Sequence, residues 1–215
     1  MFVRDRMSSP AVTIPADTVF RDASRLMRTR GIRRLPVVDE DGVLVGIVCE
    51  HDLLTAAPSQ PGSLNVWELN RLQSSVQIGE IMTEDVISTT ADTPIEDVAR
   101  LMTDNKVGGL PVVDDGGRVV GVITETDIFR TFVEMFAGGR PGLRLTLEVP
   151  ETKDVVLALA QAISELGGTI VSVGSFYGEE PDKRGLVVKV QDVKKGQAVD
   201  RLETLGDHVL DARDV

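Results

Sequence analysis

Residues 35–52 read LPVVDEDGVLVGIVCEHD, and residues 110–127 read LPVVDDGGRVVGVITETD. The pair decides the fold. Laid over one another, 3–54 and 78–129 align without a gap, and 18 of the 52 positions are identical. They include Met7/Met82, Ala16-Asp17-Thr18/Ala91-Asp92-Thr93, Arg25-Leu26-Met27/Arg100-Leu101-Met102, Leu35–Asp39/Leu110–Asp114, Gly46/Gly121 and Asp52/Asp127. Two copies of a long unit are too few for a solenoid and point instead to a pair related by a pseudo-twofold axis.

Each copy has the same local pattern. Asp17 or Asp92 opens a helical run with Val19, Ala23, Leu26 and Met27, or Ile95, Val98, Leu101 and Met102, at helical spacing, and Gly31 closes the first of them. Pro36-Val-Val and Pro111-Val-Val start short buried strands, Asp41-Gly42 and Gly116-Gly117 signal hairpin turns, and Val43–Val48 and Arg118–Ile123 return. Glu50-His51-Asp52-Leu53 and Glu125-Thr126-Asp127-Ile128 then open a second helix, so the unit is strand, helix, strand, strand, helix. Between the copies, Pro58, Pro61 and Gly62 mark a loop, and Asn65–Leu72 reads as a short helix in which Trp67 is a packing anchor.

Residues 138–142, GGRPG, form a second joint, after which the pattern changes. Strands are expected at Leu143–Val149, Thr169–Phe176, Leu186–Val190 and Asp207–Leu210, with helices at Val155–Leu166 and Lys195–Leu205. That order, βαββαβ, is the order of a ferredoxin-like domain.

Composition narrows function. Of 215 residues 23 are basic and 34 acidic, a net charge of −11, which sets the chain against phosphate backbones and anionic lipid surfaces. The stretch 1–60 is the exception, with 8 Arg against 8 acids. One cysteine, Cys49, precludes an intrachain disulfide, and His51 and His208 lie far apart, so no metal motif is visible. There is no apolar run of membrane-spanning length and no signal-peptide pattern in MFVRDRM, so a cytoplasmic location is expected.

GIVCEHD (46–52) and GVITETD (121–127), with the two Leu-Pro-Val-Val-Asp cores, resemble the strand–helix junctions of CBS domains. Two copies at this spacing resemble a tandem CBS pair over residues 1–136. With the element order after residue 142, the expectation is an α+β (mixed α/β) chain: CBS repeat 1 over 1–56, a linker over 57–76 and CBS repeat 2 over 77–137 from the resemblance, and a ferredoxin-like domain over 142–215 from the βαββαβ order. The resemblance also implies adenine-nucleotide binding (AMP, ADP or ATP) in the cleft between the repeats. Asp52 and Asp127 would take the ribose hydroxyls, since a carboxylate on a first helical turn accepts charge-assisted hydrogen bonds. Thr124 would help with the sugar-phosphate, whereas Cys49, a weak donor, replaces it in the first repeat. Ile32 and Arg33 would complete the Asp127 site, with Ala11 lining it and Thr126 beside it. Val107, Gly108 and Val86 would complete the Asp52 site, with His51 next to Asp52. Arg33, followed by Arg34, is the attractive phosphate contact, and both positions are Gly in the second repeat (108 and 109), so the two sites differ and the Asp127–Thr124–Arg33 site is favoured.

A plainer reading of the same residues stays open. Thr124-x-x-Asp127 before an apolar run is also a capping-box-like helix start, in which the carboxylate serves backbone N–H groups alone. Cys49 precedes a helix N-terminus, which lowers a thiol pKa, but its place at a strand end favours an inert thiol. The acidic clusters 39–41 and 114–115 flank turns and read as solvated charge, and Mg²⁺ would arrive with a nucleotide.

GLRLTLEVPETKDVVLALAQAISELGGTIVSVGSF (142–176) resembles the first half of an ACT domain. Its 150–154 loop, PETKD, lacks the glycine that helps ACT loops approach an amino acid, so dimerisation and coupling come first and amino-acid sensing second. The whole order is similar to the acetoin-utilisation AcuB group. The expected protein is a non-catalytic regulator, a homodimer acting on a regulated enzyme, with no obligatory cofactor, no nucleic-acid partner and no membrane. The rival is a ligand-free structural module.

Overall fold

The computed structural model describes residues 1–56, 76–150, 154–177 and 183–215. The expected helix at Asn65–Leu72 and Trp67 lie outside them. The described chain divides into two compact units, Met1–Ile128 and Phe129–Val215.

The first unit holds two modules. The first contains β1 (Ile14–Pro15), α1 (Phe20–Arg30), β2 (Arg34–Val38), β3 (Leu44–Cys49) and α2 (Glu50–Ala56). The second contains β4 (Thr89–Thr90), α3 (Ile95–Asn105), β5 (Gly109–Val113), β6 (Val119–Thr124) and α4 (Glu125–Met135). The repeat holds down to the register. Ile14 stands opposite Val37 and Thr89 opposite Val112 in the parallel pairs, and each antiparallel pair carries one irregularity, after Val37 or after Val112. Each hairpin turns on the same device: Asp39 Oδ1 accepts the N–H groups of Asp41 and Val43, and Asp114 Oδ1 those of Gly116 and Arg118.

Both α1 and α3 start later than Asp17 and Asp92 suggest, at Phe20 and Ile95. The reason is tertiary. Ala16 and Thr18 give their carbonyls to Gly79 and Ile78, and Val19 bridges Gln77. The chain before α1 is therefore held extended. The same happens before α3, where Ala91 and Thr93 accept from Arg4 and Val3, and Phe2 bridges Pro94.

These bonds exchange segments between the modules. Val3, fully buried, sits in the core of the second module with Ile95, Val98, Met102, Leu110, Val112 and Ile123. Ile78, also fully buried, sits in the core of the first with Phe20, Ala23, Met27, Leu35, Val37 and Val48. Met7 packs on Gly121 and Met82 on Gly46 so closely that a Cβ on either glycine would collide with the methionine sulfur. Ser8 bridges Val122, Thr83 bridges Ile47, and Val43 meets Arg118. Every one of these contacts has its counterpart at the equivalent positions of the other copy, which is the pseudo-twofold axis in atomic form.

The second unit has β7 (Leu143–Pro150), α5 (Val155–Glu165), β8 (Thr169–Tyr177), β9 (Lys183–Gln191), α6 (Lys195–Thr204) and β10 (His208–Asp214), with all strand pairs antiparallel in the order β10-β7-β9-β8. Leu143, Leu145, Leu147 and Val149 alternate into a core with Leu186, Val188, Val190, α5 residues Leu159, Ala162 and Ile163, and α6 residues Ala198 and Leu202. β10 runs past the expected Leu210 to Asp214. Its charged tail, Asp-Ala-Arg-Asp, hides the strand in sequence, yet Ala212–Asp214 stays in register with Leu143–Leu145.

Val3→Ala removes two buried methyl groups from the second module and is expected to cost about 2 kcal/mol in urea unfolding. Amide-exchange protection should fall at Ile95, Leu110 and Ile123 rather than at Leu35 and Val48. Equal loss in both modules, or loss in the first alone, would contradict the exchanged segments.

Candidate functional site

The strand–helix junctions β3–α2 and β6–α4 each place a carboxylate on the first helical turn. Asp52 Oδ2 accepts from the Cys49 backbone N–H at 2.7 Å and from the Cys49 thiol at 2.8 Å. Asp127 Oδ2 accepts from Thr124 N–H at 2.9 Å and from its hydroxyl at 2.7 Å. The reach-back contact of a capping box is thus present at both junctions. At Asp52 both bonds fall on one oxygen, and a carboxylate has acceptor capacity on two.

Asp52 lines a cavity of about 280 Å³ drawn from both modules. Val86, Val107 and Gly108, which the sequence grouped with Asp52, line it too, and so do Arg34, Cys49 and Lys106. His51, on the neighbouring position of α2, is exposed. Around Asp127, Thr124 is in direct contact and Thr126 is exposed beside it. Ile32 packs against the first module's core, Ala11 is half-buried, and Arg33 is exposed, with its carbonyl accepting Glu50 N–H at 2.9 Å.

The arginine order differs from the sequence expectation. Arg34, ranked behind Arg33, is the one that crosses between modules. Its guanidinium donates to the Gly108 carbonyl, which also accepts Glu125 N–H. The crossing needs both glycines: a Cβ on Gly109 would collide with Arg34 Nη1, and one on Gly108 would fall 3.0 Å from Nη2. Among the described residues the crossing runs one way, since Gly108 and Gly109 have no side chains to send back. Burial, then the charge of Arg33, draws the Arg34 pKa down from its ordinary value, while Cys49 and Glu125 push it up.

Lys106 is the residue that sequence reasoning missed. It ends α3 in the left-handed region (φ 55°), where the first repeat has Gly31 (φ 64°). A lysine there carries backbone strain of roughly 1 kcal/mol that a glycine would not. Its alignment with a helix-ending glycine was the available signal. Thr83 and Asp85, also lining the cavity, carried none.

Among the described residues no three His, Cys, Asp or Glu side chains gather as metal ligands, and no helix is long and apolar enough to cross a membrane.

Comparison with known proteins fits this geometry. The CBS domain model matches residues 3–59 and 78–134, more than half of the chain. The CBS domain pair of protein MJ0100, solved with 5′-methylthioadenosine and S-adenosyl-L-methionine, is 35% identical, with TM-score 0.53, covering 62% of this chain and 97% of that one. CBSX2 of Arabidopsis thaliana, solved with AMP, is 30% identical with TM-score 0.53 over 62% of this chain and 97% of its own. A putative acetoin utilization protein (AcuB) from Vibrio cholerae is 30% identical with TM-score 0.53 over 64% and 95%. The L-aspartate semialdehyde sulfurtransferase of Methanocaldococcus jannaschii is 36% identical over 130 residues, but the chain spans only 23% of that protein's length.

Burial, with the hydrogen bond to the Asp52 carboxylate, raises the Cys49 pKa above the free-thiol value. The neutral thiol is the favoured form, so whatever stability it supplies is held below that ordinary value and lost as pH rises through the raised one. Iodoacetamide alkylation of Cys49 should therefore have a pH midpoint above about 8.5, the free-thiol value. A midpoint below it would mark a reactive thiolate.

Proposed function

This chain is a member of the CBS-domain family, and we propose that it is a non-catalytic sensor of an adenine nucleotide, held in the cleft between its two CBS repeats. The observation that carries the reading is the Asp52 cavity. A carboxylate on a first helical turn, two cationic side chains and a backbone edge from the other repeat converge on one space. In this reading Asp52 takes the ribose hydroxyls and Val107, Gly108 and Val86 enclose adenine. Lys106 and Arg34, with His51 at the rim, answer the phosphate. A volume of about 280 Å³ lies just below the range of drug-sized ligand sites, about 300–1,000 Å³, and suits a mononucleotide rather than a larger ligand. Asp127 with Thr124, Thr126, Arg33, Ile32 and Ala11, the site the sequence favours, forms the other, inequivalent site; the cavity with its two cations moves the preference to Asp52. The adenosine-containing ligands of the MJ0100 pair and of CBSX2 support this ligand class. Mg²⁺ accompanies the nucleotide rather than occupying a site of its own.

The second unit is read as a ferredoxin-like ACT domain. Its βαββαβ order and its sheet order, fourth strand, first, third, second, support that reading. It serves as a dimerisation and coupling module in a cytoplasmic homodimer that regulates an enzyme. Nucleotide binding does this only to the extent that it favours one arrangement over another. The rival is a ligand-free module, supported by the capping contacts of Asp52 and Asp127.

Calorimetric titration with AMP, ADP, ATP, NAD and S-adenosylmethionine separates the two. Binding of an adenine nucleotide, lost by at least tenfold in Asp52→Ala or Asp127→Ala with the fold intact, identifies the working site. Silence with all five ligands leaves the scaffold. Lys106→Gly should stabilise the protein by ~1 kcal/mol through relief of the left-handed lysine and weaken phosphate-bearing ligands severalfold. Stabilisation without any change in affinity would remove Lys106 from the site.

A further inference from the structure

The second unit carries a groove that the nucleotide reading does not use. It measures about 570 Å³ and lies on the face of the sheet turned away from α5 and α6. Its walls are Phe132 and Val133 of α4, Phe136, and Phe176 of β8. Gly174 makes the seat possible, since a Cβ there would collide with the Phe136 ring.

The floor is cationic in an unusual way. Arg144 stands directly opposite Lys189 across β7–β9, and Arg213 directly opposite Arg144 across β10–β7. Like charges facing one another across strands repel. Arg213 is held by Asp211 through two bonds of 2.8 Å. Arg144 reaches the same carboxylate only at 3.7 Å. Lys189 is 6% exposed, and its Nζ donates to the carbonyls of Ala137 at 2.9 Å and Arg140 at 2.7 Å. Among the described residues it has no acidic partner. Carbonyl dipoles take two of its three N–H groups but do not cancel its charge, and a buried cation is stabilised by a well-placed anion. Apart from the terminal carboxylate of Val215, no acidic group lines the groove, and it stands against the two cations Lys189 and Arg144, so the site favours an anion over an ammonium group.

We propose that this groove binds a small monocarboxylate on a compact apolar body, with no amino group. The carboxylate lies between Lys189 and Arg144, beside Ser172, which is the Lys189 neighbour on β8. The apolar body lies against Phe132, Phe136 and Phe176.

The test uses the full chain free of nucleotide, with phenylacetate, its neutral amide phenylacetamide, and phenylalanine as probes. Its outcome is independent of whether nucleotides bind. By calorimetry or ligand-observed NMR, phenylacetate should bind at least tenfold tighter than either of the others. Lys189→Met should abolish that preference. Because Lys189 also holds the 137–140 turn, Ser172→Phe serves as a second variant: it fills the groove, keeps both carbonyl bonds and should lose phenylacetate binding. No phenylacetate binding at millimolar concentration, equal affinity for the amide, or unchanged binding in Ser172→Phe would each overturn the proposal.

Discussion

The fold of the first unit depends on an exchange. Each module completes its core with an apolar residue that belongs, by sequence, to the other copy: Val3 in the second module, Ile78 in the first. Full burial of such a side chain stabilises by roughly 1.5–3 kcal/mol, and here that gain exists only when both modules are folded together. The backbone bonds that seat these residues also set where α1 and α3 begin. The cleft follows from the same arrangement, since the segment after Ile78 brings Thr83, Asp85 and Val86 to the Asp52 junction of the first module.

Symmetry of backbone and asymmetry of side chains divide the labour. The register repeats from one module to the other, so the two junctions present the same carboxylate in the same local geometry. What differs is charge. Arg33 and Arg34 face two glycines, Lys106 faces Gly31, and Cys49 faces Thr124. Arg34 uses the space left by Gly109 to cross to the other module, and Lys106 accepts a strained backbone. Both cations thereby come to line the cavity of Asp52.

Much of this was legible in the sequence because it is periodic. Strand pairs, hairpin turns, the junction aspartates and the grouping of Asp52 with Val86, Val107 and Gly108 follow from the repeat and the resemblance it carries. Besides Lys106, Thr83 and Asp85 in the cavity wall, three features were not. Helix starts were misplaced because hydrogen bonds from a distant segment override local capping signals. The crossing of Arg34 rather than Arg33 stayed hidden because alternation along β2 cannot tell which side chain finds room across an interface, and that room is made by the glycines of the other repeat. The charged end of β10 was hidden because an edge strand is held by backbone bonds while its side chains look like those of a loop.

The exchanged segments also order events in time. During synthesis Val3 is made before any other part of the module it completes, and its pocket, closed by Ile123 of β6, is among the last parts of that unit to appear. The first module meanwhile lacks Ile78 until the ribosome has passed the joint between the copies. The first module cannot reach its final core until Ile78 is made, and the second cannot until β6 is made. A nascent chain must keep an apolar side chain solvated over nearly the whole elongation of this unit, and the charges that follow Val3, Arg4-Asp5-Arg6, suit that wait.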